Sequence, residues 1–285
     1  AGTETATSNA DENGFGTFHS AVPSGYLALC SANLPEPLIG PNSDTQATDH
    51  FNTVLYTGNA SGQTITGVGF QPDWSWNKNR AATDFHLLQD SSRGAGKEIF
   101  SNSDADEESY STSITSWNSD GFVLGNREPI NANNEAYVSW NWKANGATTS
   151  TVTDGTINST VQTNTAAGFS IVTWTGDGDQ ATIGHGLGVK PSWIIAKSRN
   201  VAGDWRVWHQ TLLAAQYMTL NLPATAGNSN SVWGTSPAQN ATTFSIGTNT
   251  DVNQNTKLYV AYCFVEKEGY SKFGSYTGNG AADGT

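Results

Sequence analysis

Acidic side chains form the densest group of potentially catalytic residues in the chain. They are Asp104, Asp106, Glu107 and Glu108. Glycoside hydrolysis uses two carboxyl groups several ångströms apart, so this run makes a glycan hydrolase an alternative function. No histidine or aromatic residue lies among these acids, and the corresponding stretch in the second half of the chain, 224–228, has no acidic residue. We therefore interpret the run as a solvated loop and expect no enzyme activity.

Metal-binding and nucleophilic patterns are weaker still. The chain has five histidines: His19, His50, His86, His185 and His209. None has the HxH, HxxxH or HExxH spacing typical of metal sites, and no GxSxG sequence marks a nucleophilic serine. Asp177 and Asp179 could face a calcium ion, but Ca²⁺ needs about six to eight oxygen ligands, and a turn is the simpler interpretation. We expect no catalytic residue, no metal and no cofactor.

Aromatic residues could act by binding rather than by catalysis. Trp205, Trp208 and His209 follow the turn at 202–204 and are interleaved with the charged Arg206. Exposed tryptophan rings beside polar groups can bind the apolar face of a sugar, because the indole has an apolar body and a polar edge. These three residues are the candidate ligand-binding site, and a carbohydrate-binding module or adhesin is a further alternative function. Packing in a core is the competing explanation.

Other aromatic residues alternate with polar ones, which predicts strands with one buried face. Trp74 and Trp76 point to one side of a strand, while Ser75 and Asn77 point to the other, since side chains alternate across a strand. The residues that alternation and repeat equivalence assign to the core are Trp74, Trp76, Trp140, Trp193 and Tyr259.

Composition excludes several classes of function. Charged residues make up 13% of the chain and the net charge is −12, whereas binding to phosphates needs clustered lysine and arginine. We therefore expect no nucleic-acid partner. No apolar run approaches the roughly 20 residues of a membrane-spanning helix. A surface rich in Gly, Ser, Thr and Asn is typical of virion and extracellular β-proteins, which is the predicted localisation. Cys30 and Cys263 lie in apolar, strand-like runs and are expected to be free thiols.

The chain repeats itself. A strand pattern that ends in aromatic-Thr-Gly-Asn/Asp occurs three times: FNTVLYTGN at 51–59, FSIVTWTGD at 169–177 and YSKFGSYTGN at 270–279. Further matches follow in the same order and pair Trp74 with Trp193 and Tyr137 with Tyr259. Matches in a fixed order indicate an internal duplication, with the start of a third repeat at the end.

Boundaries follow from the repeats and from the Pro-rich and polar stretches between them. We predict an N-terminal β segment (1–49), a first repeat (50–147), a Thr/Ser/Asn-rich join (148–167), a second repeat (168–268) and the start of a third repeat or a donor strand (269–285). Short β-branched and aromatic runs between glycine-rich turns predict an all-β fold of tandem antiparallel, jelly-roll-like β-sandwiches. Only 211–220 suggests a short helix.

Several strings carry a resemblance to a known family. They are YTGN with GVGFQPDWSWNKNR (56–80), SDGFVLG (119–125), YVSWNWKANG (137–146), GFSIVTWTG (168–176), GHGLGVKPSWIIAKSR (184–199), YVAYCF (259–264) and GYSKFGSYTGNG (269–280). Together they resemble an uncharacterised tandem-repeat domain of tailed bacteriophages, often of aquatic bacteria, and of related environmental sequences, over about 51–285. Residues 13–35 resemble the closing strands of a SPRY-type β-sandwich, which commonly precedes these repeats. The resemblance implies a virion structural or tail-fibre-like protein and supplies no catalytic residues.

The predicted function is that of a non-enzymatic structural protein in a phage or extracellular assembly, such as a fibre, filament or capsid decoration, with a role in surface attachment. A strand without a sheet exposes backbone N–H and C=O groups, and it can be donated to the sheet of another copy. Phe273 and Tyr276 would anchor a donated strand at 270–279. The expected partners are further copies in a homo-oligomer or polymer, other virion or extracellular proteins, and surface glycans.

Overall fold

The structure is a computed structural model that describes residues 8–34, 37–40, 43–234 and 238–281. Over these residues the chain is almost entirely β, with nineteen strands and three one-turn α-helices, none of which is long or apolar enough to cross a membrane. The strands of each sheet pair antiparallel, so the predicted all-β antiparallel fold is confirmed. The chain divides into two compact units, Ala1–Leu38 and Ile39–Thr285, a division that falls before the border predicted at 49.

The first unit has little regular structure in its described part. A single antiparallel bridge joins Asn9 to Phe18. The Asp11 carboxylate organises the turns around it by accepting hydrogen bonds from Phe15 N at 2.8 Å and from Ala28 N at 2.7 Å. The closing sandwich strands that the resemblance implied for this segment are thus reduced to one bridge, because side-chain-to-backbone bonds satisfy the chain locally.

The first repeat forms two sheets. Its elements are β1 (Phe51–Thr57), β2 (Gln63–Ile65), β3 (Trp74–Asn79), β4 (Leu87–Asp90), β5 (Lys97–Phe100), β6 (Glu108–Ser109), β7 (Ile114–Asn118), β8 (Gly121–Leu124), α1 (Glu128–Asn131) and β9 (Ala136–Trp142). The larger sheet has the order β1-β9-β3-β4-β5-β6, and the smaller sheet has the order β2-β8-β7. The last strand of the repeat, β9, therefore lies between β1 and β3.

The second repeat is built in the same way and is longer. Its elements are β10 (Ser150–Val152), β11 (Ser159–Asn164), β12 (Phe169–Thr175), β13 (Ala181–Gly184), β14 (Trp193–Ser198), β15 (Arg206–His209), β16 (Gln216–Thr219), β17 (Gly227–Asn228), α2 (Asn230–Trp233), β18 (Thr243–Ile246), α3 (Thr250–Asn253) and β19 (Leu258–Phe264). The larger sheet has the order β10-β11-β12-β19-β14-β15-β16-β17, and β13 pairs with β18 in the smaller sheet.

The two repeats share their arrangement around the last long strand. β9 lies between β1 and β3, and β19 lies between β12 and β14. Trp74 and Trp193 are the first residues of β3 and β14. Tyr137 and Tyr259 are the second residues of β9 and β19. The residue pairs that the duplication links therefore lie on equivalent strands.

The two larger sheets pack on each other through one shared core. Trp74 of the first repeat belongs to the same buried cluster as Phe169, Trp205 and Tyr262 of the second, and the rings of Trp74 and Tyr262 stack with centroids 4.1 Å apart. The opposite faces of these sheets pack on the smaller sheets in two further clusters. The sandwiches of the two repeats are therefore not separate, because each large sheet has two faces to cover.

The residues predicted to lie in the core are buried to different degrees. Trp74 and Tyr259 are fully buried, as predicted. Trp76, Trp140 and Trp193 are half-buried. Alternation assigns a side chain to a face of the sheet, but the extent of its burial depends on how far the opposing sheet reaches.

Two local predictions differ from the structure. The segment 211–220 was expected to be helical and instead contains the strand β16. Ala215 has a φ of 67°, a left-handed value that ends a right-handed helix. The join 148–167 contains β10 and β11, which extend the larger sheet of the second repeat beyond β12. Cys263 is buried, as expected, whereas Cys30 is half-buried.

Candidate functional site

The predicted sugar-binding residues do not form one exposed surface. Trp205 is fully buried in the core between the repeats, and its Nε1 donates to Phe100 O at 2.7 Å. Trp208 and His209 are each only 8% exposed. Trp205 and Trp208 belong to different clusters on opposite faces of the sheet, because they are three residues apart on a path with a period of two. The prediction that Trp205, Trp208 and His209 form an exposed sugar-binding surface is therefore wrong.

The predicted assembly residues have different surroundings. The Phe273 ring packs on Phe264 and Trp193 of its own chain, with centroids 5.6 Å and 5.8 Å apart. Its backbone N donates to Glu266 Oε1 at 3.0 Å. Tyr276 is 95% exposed. Phe273 therefore holds the C-terminal segment against its own chain, and the prediction that it anchors a strand in another copy is corrected. Of the two predicted assembly residues, Tyr276 is the exposed one.

The acidic run connects the two repeats. Glu107 N donates to Arg199 O at 2.7 Å, and Gly203 N donates to Asp104 O at 2.8 Å. The Glu107 side chain is only 10% exposed and forms ion pairs with Arg93 and Arg199, each at 2.9 Å. The interpretation of this run as a solvated loop is therefore wrong for Glu107, because the second repeat covers the loop.

A buried charge network continues from Glu107 into the shared core. Arg93 Nε donates to Asp90 Oδ2 at 2.5 Å, and Tyr262 OH donates to the same oxygen at 2.7 Å. Burial by itself would lower the pKa of Arg93, but Asp90, Tyr262 and Glu107 outweigh burial and raise that pKa. Burial likewise opposes ionisation of Glu107, whereas Arg199 and Arg93 hold its pKa below the ordinary value. These ion pairs and hydrogen bonds connect charged residues of the first repeat to Arg199 and Tyr262 of the second.

Lys197 is a buried lysine in the second repeat. It is fully buried, and burial lowers its pKa to about 8, although Asp251 and Asp104 act in the opposite direction. Its Nζ donates to Ser198 O at 3.1 Å and to Asp104 O at 3.2 Å. Lys78 of the first repeat donates to backbone oxygens in the same way. The carbonyl oxygens enclose the ammonium group, which indicates a structural role.

Two carboxyl groups flank Arg127 in the first repeat. Glu98 and Glu108 lie opposite each other on β5 and β6, and Arg127 Nη2 is 3.2 Å and 4.0 Å from their Oε2 atoms. Burial raises the pKa of Glu98. A cavity of about 370 Å³ borders Glu108 and Arg127, but Glu98 is enclosed and does not line it. Glu98 and Glu108 therefore do not face a common space, as the paired acids of a hydrolase would, and the second carboxyl group at this cavity is that of Asp84.

A cavity of about 380 Å³ lies at the end of β15 in the second repeat. We call it the Trp208–Trp233 cavity, since these two indoles line it together with Lys190, Gln216 and Gln239. Trp233 Nε1 donates to Val207 O at 3.2 Å, which fixes its ring. The Lys190 ammonium lies 5.2 Å from the Trp208 ring centroid. The cavity combines two aromatic rings with several amide groups.

Gln239 is the unusual polar group of this cavity. Its side chain is nine-tenths buried, with 8% of the residue exposed. Its Nε2 has no hydrogen-bond partner among the residues that the structure describes. A buried donor without a partner is costly, so Gln239 is an exception to the usual pairing of buried polar groups.

Comparison with known proteins identifies the family. Residues 46–285 match the family described as "Domain of unknown function (DUF7483)". The chain belongs to this family. The DUF7483 range covers both repeats and the segment that follows them, so the family unit includes the shared core. No curated protein and no solved structure matches the chain.

Sequence reasoning missed the residues that complete the cavity of this DUF7483 chain. Trp233 and Gln239 come from the segment around α2, which replaces a non-helical segment of the first repeat: Gly247 N donates to Val232 O as Gly125 N donates to Ser113 O. Pairing across the strands makes Gln89 the equivalent of Trp208. The signal that could have found this site is the set of positions at which the two repeats differ.

Proposed function

We propose that this chain is a non-enzymatic structural module of a viral or extracellular assembly, and that copies associate by strand addition. The observation that carries the proposal is a difference between the larger sheets. In the second repeat, β11 and β10 cover the outer edge of β12. The equivalent strand of the first repeat, β1, pairs only with β9 among the strands that the structure describes, and an open edge of this kind accepts a further strand.

The edge strand β1 also exposes apolar surface. Leu55 is 65% exposed, and Thr53 on the same side of the strand is exposed as well. Thr53 N donates to the side chain of the neighbouring Asn52 at 2.9 Å. A strand added along β1 would form hydrogen bonds with the backbone of β1 and would also cover Leu55.

The segment 274–280 supports a role as the added strand. It contains the third copy of the aromatic-Thr-Gly-Asn motif, and no backbone ladder includes it in the described structure. In the two complete repeats the motif residues Tyr56 and Trp174 stack on Tyr137 and Tyr259, at 5.0 Å and 5.3 Å. Tyr276 lacks such a contact and is exposed. Phe273 holds the base of the segment, so the segment reaches a neighbouring copy from a fixed point.

Addition of this segment to β1 of the next copy is a head-to-tail contact. Such contacts generate rings or filaments rather than closed dimers. The cross-repeat ion pairs and the shared core join the two repeats within the unit Ile39–Thr285, which suits a load-bearing structural role. The resemblance of the repeats to phage proteins agrees with a virion or extracellular location, with other assembly proteins and surface glycans as further partners.

Light scattering of the purified chain tests strand addition. We expect a mass that grows with concentration, and we expect Tyr276→Ser and Leu55→Lys each to reduce it to the monomer, because a charged edge strand resists pairing. Leu222→Lys changes an exposed leucine that lies outside β1 and should leave the mass unchanged. A chain that is monomeric at every concentration, or an oligomer that neither edge variant alters, would contradict the proposal.

A further inference from the structure

His50 lies where four segments of the chain meet. It follows the short 3-10 turn at Ala47–Asp49 and directly precedes β1. Its backbone O accepts from Lys143 N, just after β9, at 2.9 Å. Its ring contacts Asn164 at the end of β11 and meets the ring of Tyr270 edge-on, with centroids 6.0 Å apart. One residue therefore connects the entry to the first repeat, the exit from it, the join and the C-terminal segment.

The hydrogen bonds of Asn164 fix the protonation state of the His50 ring. Asn164 Oδ1 accepts from Ala167 N at 3.0 Å, and Asn164 Nδ2 donates to Lys143 O at 3.1 Å, so the amide has one orientation. The same Nδ2 lies 3.0 Å from His50 Nδ1. A ring nitrogen can accept from this donor only while it carries no proton. His50 is therefore neutral in the folded chain, with its proton on Nε2.

The surroundings of His50 oppose a second proton. The residue is only 7% exposed. Burial lowers the pKa of His50, the Lys143 ammonium lowers that pKa further, and Asp49 acts in the opposite direction. The Asp49 carboxylate already accepts from Gln46 N at 2.7 Å. Burial raises the pKa of Tyr270 to about 12, so the tyrosine supplies no negative charge at neutral pH. An imidazolium at this point would be enclosed and poorly compensated.

Two other enclosed histidines also accept through Nδ1 but connect fewer segments. His86 Nδ1 accepts from Trp76 Nε1 at 3.0 Å, and His185 Nδ1 accepts from Leu187 N at 3.2 Å. Each of these bonds lies within one repeat, so its loss in acid would act within that repeat. The His50 ring instead contacts the join and the C-terminal segment.

We propose that His50 is an acid-sensitive switch: a proton on its Nδ1 breaks the contact with Asn164 and loosens the join and the C-terminal segment around Tyr270. In the open form the ring is in water, where it binds a proton with the ordinary pKa of 6.5. The closed form binds that proton more weakly, so acid favours the open form. The closed contact keeps its full stability above about pH 6.5 and loses it as the pH falls toward the lowered pKa of the closed form.

The test is backbone hydrogen exchange of the whole chain at about pH 7.5 and about pH 5.5, corrected for the intrinsic exchange rate. Exchange in 164–167 and 267–271 should rise several-fold, up to about tenfold, at the lower pH. His50→Asn keeps an acceptor oxygen for Asn164 and gains no proton in this range, so the rise should be absent. His19→Asn, an exposed change in the first unit, should respond as the unchanged chain does.

A titration of the imidazole signals by NMR needs no variant. We expect the His50 ring to carry its proton on Nε2 at neutral pH and to titrate below 6.5. A ring that is protonated on Nδ1 at neutral pH, or one that titrates at or above 6.5, would overturn the inference. An equal rise in exchange in the unchanged chain and in His50→Asn would also overturn it. The inference does not rest on strand addition, and the Leu55→Lys chain should show the same response.

Discussion

Single charged side chains join the two repeats. Glu107 stands between Arg93 of its own repeat and Arg199 of the next, and both ion pairs are largely enclosed. An enclosed ion pair is costly to break from one side, because the remaining charge keeps its burial and loses its partner. At the scale of residues, Glu107, one of the acids that first suggested catalysis, stabilises the contact between the repeats.

Glu107→Gln should lower the free energy of unfolding by about 2 kcal/mol at neutral pH. The pKa of Glu107 is held below its ordinary value of 4.5, so the contribution is complete above about pH 4.5 and is lost as the pH falls through the folded-state pKa. Urea unfolding at pH 7 and at about pH 3 should show the difference between the two proteins shrinking in acid. Glu128→Gln, at an exposed position on α1, is the control. A difference that does not change with pH would contradict this account.

The turn after the first strand of each repeat explains the motif that revealed the duplication. The glycine of the motif, Gly58 or Gly176, lies against the backbone of the turn that follows α1 or α3, where an added Cβ would overlap Ala132 O or Gln254 O. The last residue of that helix, Asn131 or Asn253, then binds the residue after the glycine. Asn253 Oδ1 accepts from Asp177 N, and Asn253 Nδ2 donates to Asp177 Oδ1 at 2.9 Å, so the motif is a packing device.

Gly176→Ala should destabilise the chain by about 2–3 kcal/mol, because the close backbone contact leaves no room for a methyl group. Gly278 is the same motif glycine in the third copy, and nothing lies within 4 Å of a Cβ added there. Gly278→Ala should therefore melt at the temperature of the unchanged chain. Thermal unfolding monitored by circular dichroism measures both variants. Equal melting temperatures for the two would show that the backbone contact does not constrain this position.

The whole second unit behaves as one body, because the core between the larger sheets belongs to neither repeat alone. Trp205 illustrates this point. It comes from the second repeat, its indole donates to Phe100 O of the first, and it packs in the cluster that contains Trp74. Contacts of this kind make the opening of one repeat depend on the other.

Trp205→Ala should cost about 3–5 kcal/mol and should loosen both repeats. Amide hydrogen exchange is expected to speed up in β4 and β5 as well as in β14 and β15, and denaturant unfolding should remain a single transition. Trp174→Ala removes a buried tryptophan of the other core cluster in the second repeat, and its effect on β4 and β5 should be smaller. Faster exchange confined to the second repeat in both variants would contradict a shared core.

The amino-acid sequence by itself determined the fold class and predicted the duplication, since alternation and turn residues act between near neighbours. It also placed Trp74 and Tyr259 in the core, and it made Trp74 and Trp193 equivalent positions of the two repeats. Only the tertiary structure decided which faces meet. The burial of Trp205 and the ion pairs of Glu107 depend on strands from different repeats. The Trp208–Trp233 cavity likewise depends on residues that are distant in the chain.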